Sequence, residues 1–175
     1  MNHFEAGGGD GCSKARRRRV VHFARRDHGA GDACGFRIFR AGNGSQKKPT
    51  AADLNNIDLI VFDIQDVGVR FYTYISTMHY VMEACAEKGI SLLILDRPNP
   101  NGYYVDGPVL DLKFKSFIGM HPIPLVHGMT VGELAQMING EKWLANNLTC
   151  NVFIVKVKGY AHNKLYELPV RPSPN

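Results

Sequence analysis

The feature that most constrains this chain is the stretch at residues 57–75, IDLIVFDIQDVGVRFYTYI, in which an unbroken apolar run stops at carboxylates and passes into an aromatic segment. Leu59-Ile60-Val61-Phe62 shows no polar alternation, the habit of a strand buried on both faces in a parallel sheet covered by helices. Residues 71–88 follow at helical spacing, with Ile75, Met78, Met82, Cys85 and Ala86 on one stripe and Gly89 where a left-handed cap is wanted. Residues 90–95 then read as a second buried strand ending at Asp96. Strand, helix and strand in so short a span make a right-handed βαβ unit, and the expected class is α/β with a mostly parallel sheet. In such sheets ligands bind beyond the carboxyl ends of the strands. Asp63, Gln65, Asp66 and Arg70 fall there, and so does the loop after Asp96.

That loop, Arg97-Pro98-Asn99-Pro100-Asn101-Gly102, fits neither helix nor strand. Each proline fixes its own φ and restrains the residue before it, so Asn99 is held between two rigid points. A turn at a strand end and a preorganised polar ligand group are both open readings. Residues 116–130, SFIGMHPIPLVHGMT, are again punctuated by Pro and Gly and carry His121 and His127. A histidine is more often structural than catalytic, but two in a rigid loop before a helix N-terminus are placed to bind an anion or a sugar. Thr130-Val131-Gly132-Glu133 has capping-box spacing before an amphipathic helix ending near Asn139-Gly140. Glu133 therefore has two jobs open, cap or cleft carboxylate. Trp143 reads as a core or helix-end contact, and residues 151–158, NVFIVKVK, as a third strand whose alternating tail suits a sheet edge.

Charge is unevenly spread. Residues 1–48 hold 11 basic and 4 acidic side chains, and the other 127 hold 10 and 12, so the basic character belongs to the N-terminal segment. That segment has nine glycines by Gly44, the run Arg16-Arg17-Arg18-Arg19, and little apolar pattern beyond Val20-Val21-His22-Phe23 and Phe36-Arg37-Ile38-Phe39. Residues 1–46 are read as an aberrant or disordered basic segment, with a shifted reading frame, an ordinary tail and a basic arm for nucleic acid as the three explanations. A nucleic-acid arm would bind with steep salt dependence and lose binding on deletion of that segment; no nucleic-acid partner is expected. Residues 47–175 form the domain, and the proline-rich ending at 168–175 suggests a chain cut short.

Several classes find no support. The start lacks the apolar stretch of a secretory signal, and there is no transmembrane run. Cys12, Cys34, Cys85 and Cys150 make no CxxC pair, so neither a zinc site nor a disulfide framework follows, and Cys85 and Cys150 read as buried small hydrophobes. No GxGxxG or GxxxxGK[ST] is present, which removes a nucleotide site. FDIQD invites comparison with the haloacid-dehalogenase nucleophile loop, but Gln65 stands where that chemistry needs a proton-transferring acid.

FDIQDVGVRFYTYISTM, LDRPNPNG, DGPVL, SFIGMHPIPLVHGMTVGELAQMING and LPVRPSPN, in that order, closely resemble NamZ-type exo-β-N-acetylmuramidases, bacterial peptidoglycan-recycling glycosidases, over about residues 47–175. The resemblance implies a Rossmann-like three-layer catalytic domain, here incomplete, with the family's smaller C-terminal domain absent. It implies exo-acting release of N-acetylmuramic acid from non-reducing ends of peptidoglycan fragments, without metal or cofactor, in the periplasm or outside the cell. Glycoside hydrolysis generally needs an acid and a second carboxylate about the bond. Asp63, Asp66 and Glu133 are the catalytic candidates. Gln65, Arg70, Asn99, His121 and His127 are candidates for gripping acetamido, lactyl and hydroxyl groups, Arg70 through a bidentate fork on the lactyl carboxylate. Asp106 in DGPVL, where some relatives of the family carry Glu, joins the substrate-binding candidates. The family's upstream P-E-H-G motif, whose glutamate is a leading catalytic candidate, has as its nearest match Arg26-Asp27-His28-Gly29. That departure leads to the expectation of a chain inactive as it stands, or of a muropeptide-binding remnant.

Overall fold

The computed structural model describes residues 20–24, 36–39 and 47–169. Five parallel strands form one sheet: β1 (Val20–Ala24), β2 (Phe36–Phe39), β3 (Leu59–Asp63), β4 (Ser91–Leu95) and β5 (Val152–Val155), in the order β2-β1-β3-β4-β5. Helix α1 (Tyr74–Lys88) links β3 to β4, and α2 (Val131–Gly140) lies between β4 and β5. From β1 the chain first adds a strand on one side and then resumes on the other, so the order reverses between β1 and β3. In a doubly wound fold, the carboxyl edge of the sheet at such a reversal is the preferred position for a ligand. Ala24 is in register with Asp63 at this edge.

The two apolar runs of the basic N-terminal segment are thus strands, and for these residues the expectation of unpatterned chain does not hold. Runs of four and five residues carry no usable period, and the surrounding Arg and Gly mask them in a composition-based reading. The remainder of residues 1–46, including Asp27, lies outside the described residues, as do residues 170–175 of the LPVRPSPN motif.

Burial refines the reading of the central strands. Ile60 and Phe62 of β3, and Leu92 and Ile94 of β4, are fully buried, while the alternating residues Leu59, Val61 and Leu93 are only half-buried. Consecutive right-handed crossovers proceeding in one direction put α1 and α2 on the same face, so cover among the described residues is one-sided. Ile75, Met78, Met82 and Cys85 of α1 and Leu134, Ala135 and Ile138 of α2 complete that core. Cys85 and Cys150 are free and buried, as expected. Trp143 packs against the same core. Strand β5 is the edge, with Phe153 and Val155 exposed.

Local chemistry sets the ends of the elements. Gly89 caps α1 at φ 66°, and its amide bonds back to the Ala86 carbonyl. The helix begins at Tyr74, three residues after Phe71. The chain before it is spent on a turn, in which the Tyr72 amide meets the Val69 carbonyl and the Arg70 amide meets Leu125. Thr130 and Glu133 form the full capping box of α2. Within the early turn at 50–53, Thr50 and Asp53 bond reciprocally, the Asp53 carboxylate accepting from the Thr50 amide at 2.8 Å.

Candidate active site

Three loops meet at the carboxyl edge of β3 and β4: residues 64–73, 96–102 and 121–130. Their joints are side chains on backbone. The Gln65 amide donates to the Asp66 and Pro98 carbonyls at 2.7 and 2.8 Å, tying the loop after β3 to the loop after β4. Asn99, 3% exposed, donates to the Met129 carbonyl and accepts from the Asn101 amide, both at 2.8 Å. Its side chain lies against Gly68, where a Cβ would fall 2.2 Å from Asn99 Oδ1, and Gly68 has φ 74°. Only glycine satisfies both demands. Arg70 donates through Nη1 to the carbonyls of Pro108 and Ile123. Gln65, Asn99 and Arg70 are therefore the frame of the crevice.

The carboxylates divide sharply. Asp63 is gripped by Arg97, whose Nη2 and Nε stand 2.6 and 2.7 Å from Oδ1. Glu133 is half-exposed; Oε2 accepts from the Thr130 amide at 2.8 Å, and Oε1 lies 2.9 Å from His162 Nε2. Partial burial would raise its pKa, but the His162 and Thr130 hydrogen bonds outweigh that and hold it below the ordinary carboxylate value. Asp106 is exposed and sits in a short antiparallel bridge with Val126, the residue before His127. Asp96, the first residue after β4, caps α2 from outside: it accepts from Thr130 Oγ1 at 2.7 Å and from the Gly132 amide at 2.9 Å.

Asp66 is different in kind. It is 5% exposed; Oδ2 accepts from the Gly68 amide at 2.8 Å, and Oδ1 has no hydrogen-bond partner. Burial pushes its pKa up from 3.8 to about 6, against the opposing pull of the Gly68 and Val67 amides. A carboxyl poised there can hold a proton and deliver it near neutrality. His127 Nε2 lies 3.8 Å from Asp66 Oδ2. That is too long for a hydrogen bond, and burial lowers His127 to about 4, so the imidazole is neutral and the contact is no ion pair. The Met129 amide donates to His127 Nδ1 at 3.3 Å, leaving the proton on Nε2, which is buried and unpartnered. An unused oxygen, Asp66 Oδ1, and an unused N–H, His127 Nε2, thus belong to neighbouring buried side chains. This combination suits a hydroxyl group, which both donates and accepts.

His121 is brought into the same buried region, 1% exposed and stacked on Trp143 at a centroid distance of 5.5 Å. Its neighbour His79, on α1, and Glu83, one turn further on, escape a motif-based reading because they sit inside an ordinary core helix. The available signal is their i,i+4 spacing. Arg97 and His162, the cations that occupy Asp63 and Glu133, were equally unmarked in sequence. Among the described residues no cluster of His, Cys, Asp or Glu is arranged to hold a metal ion.

The comparisons with known proteins agree with this architecture. Residues 27–175 match the family described as exo-beta-N-acetylmuramidase NamZ, N-terminal. The match starts some twenty residues before the stretch that carries the sequence resemblance, and takes in β2. The peptidoglycan beta-N-acetylmuramidase NamZ of Bacillus subtilis strain 168 is 46% identical over 166 residues, covering 88% of this chain and 39% of that protein. Two crystal structures of DUF1343 family proteins from Bacteroides fragilis superpose with TM-scores of 0.77 and 0.74 at 40% and 32% identity. They are covered over 52% and 47% of their lengths, and this chain over 90% and 84%. The chain therefore spans about two-fifths to one-half of the relatives it matches.

Proposed function

The chain belongs to the NamZ exo-β-N-acetylmuramidase N-terminal family, and from that premise we propose that its crevice binds the N-acetylmuramic acid unit at the non-reducing end of peptidoglycan fragments, with Asp66 as the proton donor to the departing glycosidic oxygen. The observation that carries this reading is the buried Asp66 carboxyl, raised to about 6 by desolvation, with Oδ1 uncommitted and Oδ2 held by the Gly68 amide 3.8 Å from His127 Nε2. Asp63 and Glu133, both held by cations, act as electrostatic and structural support. Arg70, Asn99 and Gln65 hold the loops that shape the pocket. With peptidoglycan fragments as the substrate, the proposed site of action is the periplasm or the outside of the cell.

A second reading, binding without turnover, draws on Asp27. Strand β1 ends at Ala24, beside Asp63, and Asp27 follows it in the segment resembling P-E-H-G, with a side chain one methylene shorter than glutamate. One experiment separates the two. Release of N-acetylmuramic acid from the β-1,4-linked N-acetylmuramic acid–N-acetylglucosamine disaccharide is followed for the chain and for its Asp27→Glu and Asp66→Asn variants, with disaccharide binding measured by calorimetry. Turnover abolished in Asp66→Asn supports the hydrolase. Turnover only in Asp27→Glu, with binding in the parent chain, supports the binding reading. Absence of both binding and turnover in every variant sinks both.

A further inference from the structure

A hydrogen-bonded line of side chains runs from Lys48 through α1 to the loop at 121–130. Lys48 Nζ lies 3.2 Å from Glu83 Oε2 and 2.7 Å from Glu87 Oε1. Glu83 Oε1 accepts from the Ala145 amide at 3.0 Å and lies 3.2 Å from His79 Nε2. His79 Nδ1 lies 3.0 Å from His121 Nε2. The line ends at His121 Nδ1, a buried atom without a partner.

Proton bookkeeping along this line has a single solution. Burial would raise Glu83, but the Ala145 amide, Lys48 and His79 hold it below the ordinary carboxylate value, so it is an acceptor. His79 Nε2 must then donate. Burial keeps His79 neutral against the opposing charge of Glu83, which leaves Nδ1 as a lone pair. His121 Nε2 must in turn donate to that lone pair. Burial, with the charge of Lys115 and competition from protonation of His79 and His127 as further opposition, keeps His121 neutral as well. Its Nδ1 is therefore a bare acceptor.

We propose that His79 and Glu83 are positioning residues that lock His121 in its Nε2–H tautomer, so that Nδ1 faces the bound saccharide as a dedicated acceptor for a hydroxyl or amide N–H. This rests on the saccharide-binding reading for its ligand, and on the hydrogen-bond geometry and burial of the line for its tautomer. His127 presents the complementary polarity: its Nδ1 is occupied by the Met129 amide, so Nε2–H is its free end. Two neutral imidazoles a few residues apart thus offer opposite hydrogen-bonding ends, one set by a carboxylate relay and the other by a backbone amide.

The test is long-range proton–nitrogen correlation NMR of the histidine ring nitrogens in the full chain, with His121 assigned by its loss in His121→Gln. The expected result is an Nε2–H tautomer for His121, shifting toward Nδ1–H or a mixture in His79→Leu. Observation of Nδ1–H or a charged ring in the parent chain at neutral pH overturns the proposal, as does an unchanged tautomer in a folded His79→Leu. Should that variant not fold, the isosteric pair His121→Asn and His121→Gln decides. Asn places an acceptor near the Nδ1 position and Gln near the Nε2 position. Affinity for N-acetylmuramic acid is expected to hold within a few-fold in Asn and to fall about tenfold in Gln; equal losses overturn the proposal. Addition of N-acetylmuramic acid should perturb the His121 Nδ1 resonance, and binding registered at His127 but not at His121 overturns its role as acceptor. Absence of any binding, with the Nε2–H tautomer present, counts against the proposed function and leaves the relay standing.

Discussion

Asp66 and Glu133 make an instructive pair. Both are carboxylates presented by loops or helix ends at the same edge of one sheet, and nothing in their sequence surroundings ranks one over the other. Glu133 is half in water, bonded to the Thr130 amide and paired with His162. Asp66 is sealed, holds one amide hydrogen bond through Oδ2, which lies 3.8 Å from a neutral imidazole, and leaves Oδ1 unused. The first environment stabilises the carboxylate and the second the carboxylic acid. Chemistry at this edge is thus divided by solvation and partners more than by residue type.

The strongest way to break the comparison is to remove the proton from the sealed site. Asp66→Asn keeps the shape and can still accept from the Gly68 amide, but has no proton to give. Turnover is expected to fall by about two to three orders of magnitude, while thermal unfolding shows the variant as stable as the parent or more so at pH 7. A variant that retains more than a tenth of the parent rate refutes Asp66 as the acid. The rate should also be lost as pH rises through about 6, where Asp66 surrenders its proton.

Stability against pH sharpens the point, because Asp66 and His127 work in opposite directions. Asp66 binds its proton more tightly folded than unfolded, so its contribution is complete below pH 3.8 and is lost as pH rises through about 6. Over two pH units this amounts to about 3 kcal/mol. His127, lowered from 6.5 to about 4, contributes stability that is present above pH 6.5 and lost as pH falls toward 4. The two slopes largely cancel between pH 4 and 6. Asp66→Asn should uncover the His127 slope, so that denaturant midpoints climb with pH across that window more steeply than in the parent. Parallel profiles would show that burial does not perturb Asp66.

Gly68→Ala tests the scaffold that keeps the site sealed. A left-handed φ and a Cβ 2.2 Å from Asn99 together should cost about 2–4 kcal/mol, read as a lowered urea midpoint. Asn99→Ala in the same background should recover part of the loss by removing the clash.

How much of this was legible beforehand follows the same division. The βαβ unit, the Gly89 cap, the Thr130–Glu133 box and the edge position of β5 were readable, because each depends on period or spacing within one segment. Strands β1 and β2 were not, since short apolar runs amid Arg and Gly carry no period. The one-sided cover of β3 and β4 was equally hidden, because an apolar run does not say which face a helix will reach. At the site, sequence placed Asp63, Asp66 and Glu133 on one edge but could not rank them. The ranking comes from Arg97 and His162, which lie 34 and 29 positions away from their carboxylates, and from the loop closure that desolvates Asp66. His79 and Glu83 were invisible for a related reason: their meaning depends on a loop more than 40 residues on.

The smallest expected effect lies at the exposed end of the comparison. Glu133→Gln keeps an oxygen for the Thr130 amide and so retains most of the capping box, but discharges the partner of His162. Both side chains are about 45% exposed, and ion pairs in that setting contribute at most about 1 kcal/mol. The stability loss should therefore stay below about 0.5 kcal/mol at pH 6 and fade as pH rises through the His162 pKa, which Glu133 holds above its ordinary value, since the contribution disappears as that proton leaves. Glu133→Ala, which also removes the cap, should lose about 1 kcal/mol. Turnover should be unchanged in Glu133→Gln. A hundredfold loss of turnover in that variant, with stability intact, would reverse the ranking of the two carboxylates and move the proton donor from the sealed site to the rim.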